Sequence, residues 1–349
     1  ARRHRIGPSP PASRETEDAL ADASSAPAFS TIATSWKRCI RFRPSRRSSP
    51  ILSPGEGLKE LRAPRLLSAS VLLAGILALA AAVRFWGIGF GLPHTQARPD
   101  ETQIIDVTLA FLRGNFKPMF YDYPWVYMWA LTGLYLLYYV WGLLTGTFHS
   151  LADLVASWPI NWEPFFLISR SLSAAAGVAT VAVVYRLARK LWDEQTGLVA
   201  ALFMALAFIH ARDSHFGTTD MMMTLLIVSS VSVLVSAHLS GNRSMFAVAG
   251  LLAGLATATK YNGAFLGATF VVSQLLHAQA SPGRRLAALL DARLVWFGAP
   301  FVLGLAVGVP FVIIDAQRFW GAMEDLAHSM RVGQGSMNPD NGWLHHLTH

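Results

Sequence analysis

The chain has 349 residues, of which 53% are hydrophobic and only 14% are charged, whereas about 25% of the residues in an ordinary soluble domain are charged. The apolar residues stand in long uncharged blocks, and this excludes a soluble enzyme. Residues 66–83, 221–239 and 294–314 each approach the roughly 20 apolar residues that span a bilayer. The net charge of +8 is concentrated in the N-terminal segment and in short loops between apolar blocks. This distribution is typical of the positive-inside bias of membrane proteins, so we expect no nucleic-acid partner.

Residues 1–62 are rich in Arg, Ser, Pro and Ala and have no sustained hydrophobic period. Such a segment cannot bury enough apolar surface to offset its ordering entropy, so we expect a disordered basic cytoplasmic tail. The first residue is Ala rather than Met, and the chain stops inside a polar segment, residues 315–349, so we expect a piece of a longer protein. The single cysteine, Cys39, excludes an internal disulfide.

The apolar blocks predict an all-α polytopic membrane domain over residues 63–314. Its seven predicted spans are residues 66–83, 165–187, 198–210, 221–239, 245–259, 264–277 and 294–314. Residues 124–144 are also apolar, but a crossing there would place the basic loops 188–196 and 278–293 outside, against the positive-inside rule. This block contains many Trp and Tyr residues, which favour the headgroup level, so we predict a helix lying in the outer interface. Residues 315–349 are then an outer segment.

The polar residues that could take part in catalysis or binding fall in the outer segments of this layout. They are Asp100 and Glu101, Asp122 and Tyr123, Arg212, His215 and Asp220, and Lys260. Each has an ordinary structural interpretation, since Asp100 and Asp220 could cap helices and Lys260 could snorkel. Arg212, Asp213 and His215 could form local ion pairs, or the His and Asp residues could bind a metal, although no ligand spacing is diagnostic. Their shared side of the membrane favours a functional site.

Carboxylates beside cations at a membrane interface suit sugar transfer from a lipid-linked phosphate. A carboxylate can take the proton of an acceptor hydroxyl, and cations can stabilise the phosphate as it leaves. Two other classes stay open. A transporter would place ionisable residues near the bilayer midplane on broken helices. In this sequence, Arg170 is the one charged residue well inside a predicted span. A non-catalytic membrane assembly protein would lose no activity when Asp100 is changed.

Several elements, taken in order, resemble the GT-C fold family of glycosyltransferases. They are Asp100-Glu101 after a span, an aromatic-x-x-Pro element at residues 121–124, the Arg-x-x-Ser-Ala-x-x-Gly pattern of residues 170–177, and the Gly-x-x-x-Gly-Leu-Ala element with its Thr-Lys-Tyr end at residues 250–261. Within that fold, the chain is most similar to protein O-mannosyltransferases and the bacterial aminoarabinose transferase of lipid A. The resemblance covers about residues 66–330.

The resemblance implies a GT-C-like transmembrane helix bundle with interfacial helices in its first outer loop. It also implies a multi-pass protein of a bacterial plasma membrane, with its active site on the non-cytoplasmic side. The expected reaction is inverting transfer of a hexosyl or pentosyl group from a polyprenyl-phosphate donor. The acceptor would be a hydroxyl on a protein, a lipid or a glycan.

The resemblance also implies roles for individual residues. Asp100 would be the catalytic carboxylate facing the acceptor hydroxyl, and Glu101 would support it or orient the acceptor. Asp220 would be a second acid, near the donor sugar or a metal. No cofactor is certain, and Asp100 and Asp220 are the expected ligands of a divalent metal if one is used. Asp122, Tyr123 and His215 are the predicted substrate-binding residues. The aminoarabinose transferase has Lys where this chain has Tyr123 and Arg where it has Gln103, so the donor phosphate would be bound instead by Lys260, Arg212 or Arg170.

Overall fold

The computed structural model describes residues 68–94, 98–117, 121–278 and 291–332. The predicted tail, residues 1–62, and the end of the predicted outer segment, residues 333–349, lie outside the described residues.

The regular secondary structure of the described residues is helical throughout, which confirms the predicted all-α class. The helices are α1 (Ala69–Phe85), α2 (Pro99–Leu112), α3 (Val126–Thr145), α4 (Leu151–Ser157), α5 (Glu163–Leu191), α6 (Glu194–Leu206), α7 (Phe208–Asp213), α8 (Asp220–Ser240), α9 (Arg243–Thr257), a 3₁₀ helix (Tyr261–Ala264), α10 (Phe265–Ala278), α11 (Ala292–Gly308), α12 (Phe311–Ile314) and α13 (Ala316–Val332).

Local sequence signals explain several helix starts. Pro99 occupies the first turn of α2, followed by Asp100 and Glu101, because proline loses no hydrogen bond there and acids favour the positive helix end. Asp193 accepts a hydrogen bond from the backbone N–H of Thr196 and so caps α6. Ser150 and Asp153 form a reciprocal capping box at the start of α4.

Every predicted span corresponds to a helix or a helix pair, but two of the predicted spans are divided. Residues 198–210 break at Ala207, between α6 and α7, and residues 294–314 break at Val309 and Pro310, between α11 and α12. The second break follows from proline chemistry, since Pro310 cannot donate a backbone hydrogen bond to continue α11. In the described part of the chain, α3, α5 and α8 are long and apolar enough to cross a membrane.

The helices form a bundle in which helices from distant parts of the chain pack side by side. Helix α1 packs on α5 and α6, α5 packs on α8, and α8 packs on α9, which in turn lies against α11. The start of α3 is hydrogen-bonded to the ends of α9 and α11. The Trp125 backbone N–H donates to the Gly308 carbonyl of α11 at 2.8 Å, and the Val126 N–H donates to the Ala258 carbonyl after α9 at 3.1 Å. The length and composition of α3 would also allow a crossing, so its interfacial position stays a prediction.

Glycines bring α9 and α11 into unusually close contact. A Cβ atom added to Gly254 would lie 2.1 Å from the carbonyl oxygen of Phe301, and one added to Gly250 would lie 2.0 Å from that of Phe297. Gly304 of α11 faces the Leu251 carbonyl in the same way, at 2.7 Å. The Gly-x-x-x-Gly element is therefore a helix-packing surface, in which small residues let two backbones approach inside a membrane.

We expect Gly254→Leu to separate α9 from α11 and to lower the melting temperature in detergent. Because backbone rather than a flexible side chain stands in the way, the substitution should cost on the order of 1–3 kcal/mol or more. Gly298→Leu is the matched control, since a Cβ at this α11 position meets nothing within 4 Å. Equal melting temperatures for the two variants would contradict the packing role.

Candidate active site

Several functional candidates meet at one end of the helix bundle. Asp100 lies in the first turn of α2, Asp220 begins α8, and Lys260 follows α9. The loop before α3 brings Asp122 and Tyr123 to the same end, since its last residues are bonded to the ends of α9 and α11. Residues that are far apart in the sequence thus share one region of the structure.

Tyr123 lies near the charged residues of this group, and these charges shift the pKa of its phenol. Burial raises the pKa of the Tyr123 phenol, Asp100, Asp220 and Asp122 raise it further, and Arg98 lowers it. Anionic groups near a phenol disfavour the phenolate, so Tyr123 remains protonated at neutral pH and can donate a hydrogen bond. We refer to Asp100, Asp122, Asp220, Tyr123 and Lys260 as the acidic cluster.

Asp220 and Lys260 form an ion pair inside the acidic cluster. Lys260 Nζ lies 2.7 Å from Asp220 Oδ1, and Thr218 Oγ1 donates to Asp220 Oδ2 at 3.2 Å. Lys260 Nζ also lies 5.8 Å from the centre of the Tyr123 ring, within the range of a cation–π interaction. About 30% of each charged side chain is exposed (28% for Lys260, 32% for Asp220), so an incoming anion can reach the ammonium group.

Asp100 and Glu101 are neighbours in the sequence but have opposite environments. The Asp100 side chain is 39% exposed, and its Oδ2 lies 3.8 Å from Arg98 Nε. The Glu101 side chain is fully buried and forms a two-pronged ion pair with Arg170, with both N···O distances at 2.8 Å. Glu101 Oε1 also accepts a 2.6 Å hydrogen bond from the Gly217 backbone N–H. Asp100 is accessible to a substrate, and Glu101 is enclosed.

The phosphate-binding role predicted for Arg170 does not fit this arrangement. Its side chain is 1% exposed, and Nη1 donates to the carbonyls of Ile88 and Phe90 at 2.9 and 2.8 Å. The guanidinium also packs against the Phe90 and Phe166 rings. All three guanidinium nitrogens already donate to protein groups and the side chain is enclosed, so Arg170 is poorly placed to reach a phosphate. In this arrangement Glu101 and Arg170 hold α2, α5 and the segment before α8 together.

The rest of the Arg-x-x-Ser-Ala-x-x-Gly pattern is also structural. Ser173 Oγ donates to the Thr218 carbonyl at 3.2 Å, two residues before Asp220. Ser169 Oγ, beside Arg170, donates to the Gly217 carbonyl at 3.2 Å. A Cβ on Gly177 would lie 2.4 Å from Ser214 Oγ, so glycine is required for this contact. The pattern on α5 therefore holds the segment that leads into Asp220.

Arg212 and His215 contact residues outside the acidic cluster. Arg212 pairs with its neighbour Asp213 at 2.7 Å, and the two His215 ring nitrogens lie 2.9 and 3.0 Å from the carbonyls of Ala211 and Trp86. Both residues line an apolar groove of about 430 Å³ between α1 and α7. The phosphate role of Arg212 and the substrate role of His215 stay predictions.

Five residues to which the sequence analysis gave no role contribute to the site or its frame: Arg98, Tyr121, Tyr261, Asp315 and Arg84. Arg98 stands beside Asp100, Tyr261 OH donates to the Tyr121 carbonyl at 2.8 Å, and Tyr121 OH donates to Asp315 Oδ2 at 3.1 Å. Arg84 is fully buried and donates to the carbonyls of Ala80, Met204 and Ala205 and to the ring of His210. Its position directly after the apolar block 66–83 is the one sequence signal for Arg84, and this signal does not identify its partners.

The predicted metal site gains no further ligand from the structure. Within residues 68–94, 98–117, 121–278 and 291–332, no three His, Cys, Asp or Glu side chains stand close enough to hold a metal ion. Asp100 and Asp220 remain as two carboxylates, one of them paired with Lys260. One or two carboxylates are what Mg²⁺ commonly takes from a protein when waters and substrate phosphates complete its coordination, so the metal role of Asp100 and Asp220 stays a prediction.

An apolar groove of about 750 Å³ runs between the end of α1, α3 and the first half of α5. Its walls include Phe85, Leu134, Tyr138, Leu167 and Leu172. A surface of this kind is compatible with a lipid chain.

The comparisons with known proteins agree with this architecture. Residues 166–314 match the model of a family described as dolichyl-phosphate-mannose-protein mannosyltransferase. The crystal structure of the oligosaccharyltransferase of Archaeoglobus fulgidus, in its apo form, superposes with a TM-score of 0.50 at 16% sequence identity. The alignment covers 81% of this chain and 37% of the archaeal chain. No curated protein matches the sequence.

These findings establish the fold. The likeness to the archaeal structure shows that the bundle has the GT-C fold, as predicted. The chain spans about 37% of the length of that protein, and the family model covers less than half of this chain.

Proposed function

We propose that this chain transfers a sugar from a polyprenyl-phosphate donor to an acceptor hydroxyl on the non-cytoplasmic side of a membrane. The observation that carries the proposal is the convergence of Asp100, Asp122 and Asp220 with Lys260 around Tyr123 at one end of a membrane helix bundle. The match to a dolichyl-phosphate-mannose-dependent family supports this donor class. The basic residues Arg189 and Lys190 end α5, away from Asp220, which supports a non-cytoplasmic site.

Asp100 is the proposed catalytic base because it is the accessible acid at the start of α2. The acceptor oxygen attacks the anomeric carbon of the donor while its proton passes to the Asp100 carboxylate. The bond between the anomeric carbon and the phosphate oxygen breaks, and its electron pair leaves with the polyprenyl phosphate. Attack opposite to the leaving group inverts the anomeric configuration. The reaction is a substitution at the anomeric carbon, so it needs no oxidant or reductant.

Lys260 is the proposed contact of the departing phosphate. Its ammonium group is partly exposed and held by Asp220, so it is oriented before the donor arrives. A fixed cation near developing negative charge lowers the barrier because little reorganisation is needed during the reaction. The protonated Tyr123 phenol can donate a hydrogen bond to a substrate oxygen, and the exposed Asp122 can accept from a sugar hydroxyl. In this proposal Lys260 takes the role of the lysine that the aminoarabinose transferase has where this chain has Tyr123.

The proposal is tested by sugar transfer in membranes that contain the chain, with radiolabelled polyprenyl-phosphate mannose as the first donor and the aminoarabinose donor as the second. Label should appear in protein, lipid or glycan after solvent extraction of the donor. Lys260→Met should lower transfer by about 10²-fold. Arg212→Met removes a cation that pairs with Asp213, outside the acidic cluster, and should stay within about twofold of the unmodified chain.

Two results would contradict the proposal. One is the absence of label from all acceptor fractions with both donors, which favours a non-catalytic assembly protein. The other is equal transfer by the Lys260→Met and Arg212→Met variants, which removes Lys260 from the site.

A further inference from the structure

The short loop that carries Asp122 and Tyr123 is fixed at both ends. At its C-terminal end, the Trp125 backbone N–H donates to the Gly308 carbonyl at 2.8 Å. At its N-terminal end stands Tyr121, directly before Asp122. The conformation of the loop therefore depends on what holds Tyr121.

Tyr121 makes contacts with three separate elements. Its phenol donates to Asp315 Oδ2 at 3.1 Å, and its carbonyl accepts from the phenol of Tyr261 at 2.8 Å. Its ring packs edge-on against Phe311 of α12 and Phe319 of α13, with centroid distances of 5.5 and 6.1 Å. The side-chain bond to Asp315 is the polar contact that ties Tyr121 to the segment following the last predicted span.

Asp315 stands at the start of α13 and is itself held in place. Its carbonyl accepts from the Phe319 backbone N–H at 3.0 Å, and Arg318 Nη1 lies 3.6 Å from Asp315 Oδ2. Phe319 is buried against the aromatic rings of Tyr121 and Tyr261. Because the backbone of Asp315 is fixed in this way, its carboxylate offers the Tyr121 phenol an acceptor at a defined position.

We propose that Asp315 is a positioning residue of this transferase, acting through the Tyr121 phenol to hold Asp122 and Tyr123 in the acidic cluster. For its activity readout, this inference rests on the proposed sugar transfer. Asp315 acts through Tyr121, and the groups that it positions are the ones expected to meet the sugar. Small displacements of such groups lower the rate more than they lower stability.

Tyr121→Phe tests this role, because it keeps the ring and removes only the hydrogen-bond donor. We expect kcat to fall by about tenfold with little change in the donor KM. Asp315→Ala should have the same effect, and the double variant should be no slower than either single variant. Asp315→Asn retains an oxygen that can accept from Tyr121, so it should recover most of the lost rate.

Tyr135→Phe is the matched control. It removes a buried phenol that donates to the Phe165 carbonyl at 3.0 Å, from a tyrosine in α3 outside the acidic cluster. It should lower the melting temperature and leave kcat per folded molecule unchanged. Equal kcat values for Tyr121→Phe and the unmodified chain would overturn the positioning role.

A second measurement does not need sugar transfer. In a Cys39→Ser background, Asp122→Cys places a thiol on the loop, and its maleimide reaction rate reports loop mobility. Adding Tyr121→Phe or Asp315→Ala should accelerate labelling by about fivefold, and adding Tyr135→Phe should not. If labelling responds while the unmodified chain transfers no sugar, the proposed function fails and the positioning role stands. If transfer is normal and neither kcat nor labelling responds to Tyr121→Phe, the positioning role fails alone.

Discussion

Glu101→Gln is expected to yield a chain that folds poorly and melts at a much lower temperature in detergent. The substitution leaves the Arg170 guanidinium 1% exposed with no anionic partner. Removing one member of a buried ion pair typically costs about 3–5 kcal/mol, which is a large part of the 5–15 kcal/mol that stabilises an ordinary folded domain. Loss of transfer should follow, because Gly217 would lose the carboxylate that accepts its N–H just before Asp220.

Companion variants separate this structural role from a catalytic one. Arg170→Lys should also be unstable, since an ammonium group cannot replace the planar fork that reaches Glu101 and the Ile88 and Phe90 carbonyls together. Replacing both charged residues with methionine should recover part of the stability, because no buried charge is then left unpaired. Asp213→Asn breaks the exposed pair with Arg212 and should have little effect on melting. If Glu101→Gln melts like Asp213→Asn but transfers no sugar, Glu101 is catalytic after all.

The distribution of apolar residues was sufficient to predict the helical framework. Span length is set by bilayer thickness, so uncharged blocks such as residues 221–239 indicate helices without knowledge of their partners. That block is α8, Asp220–Ser240 in the structure. The break of residues 198–210 at Ala207 was not predicted, because both halves are apolar and no proline or glycine marks the division.

The convergence of the acids could be predicted, but their individual environments could not. Asp100 and Glu101 are successive residues of a helix, so their side chains point about 100° apart. Which of them faces the bundle depends on the rotation of α2, and this is decided by Arg170, 69 positions away from Glu101. Local pattern contains no information about such a partner.

Proximity in sequence is weak evidence that Arg212 and His215 share a site with Asp220. Both precede Asp220 by only a few residues, and this suggested that they share its site. The intervening segment is held to α5 through the Gly217 and Thr218 carbonyls, while His215 is bonded to Trp86 at the end of α1. Residues only a few positions apart in this segment therefore contact different helices, and these tertiary contacts are not evident from the sequence.

Asp100→Asn is expected to abolish measurable sugar transfer while leaving the chain folded. Asparagine has nearly the same shape as aspartate, but its amide cannot take the proton of the acceptor hydroxyl. Loss of a general base typically lowers the rate by about 10²- to 10⁴-fold. The melting temperature should change little, because Asp100 is partly exposed and its Arg98 partner is 3.8 Å away at the surface. Photolabelling with a polyprenyl-phosphate donor should be retained, since the Lys260 contact is intact.

Glu163→Gln is the matched control for Asp100→Asn, as it neutralises an exposed carboxylate in the first turn of α5 without changing the acidic cluster. It should transfer sugar at the rate of the unmodified chain. Transfer by Asp100→Asn within tenfold of this control would assign the base to another acid of the cluster. Asp122→Asn would then be the next variant to measure, because Asp122 is exposed whereas Asp220 is already bound by Lys260 at 2.7 Å. Both carboxylate oxygens of Asp220 already have a partner, since Oδ1 contacts Lys260 Nζ and Oδ2 accepts from Thr218 Oγ1, so Asp220 is the least suited of the three acids to accept a hydrogen bond from the acceptor hydroxyl.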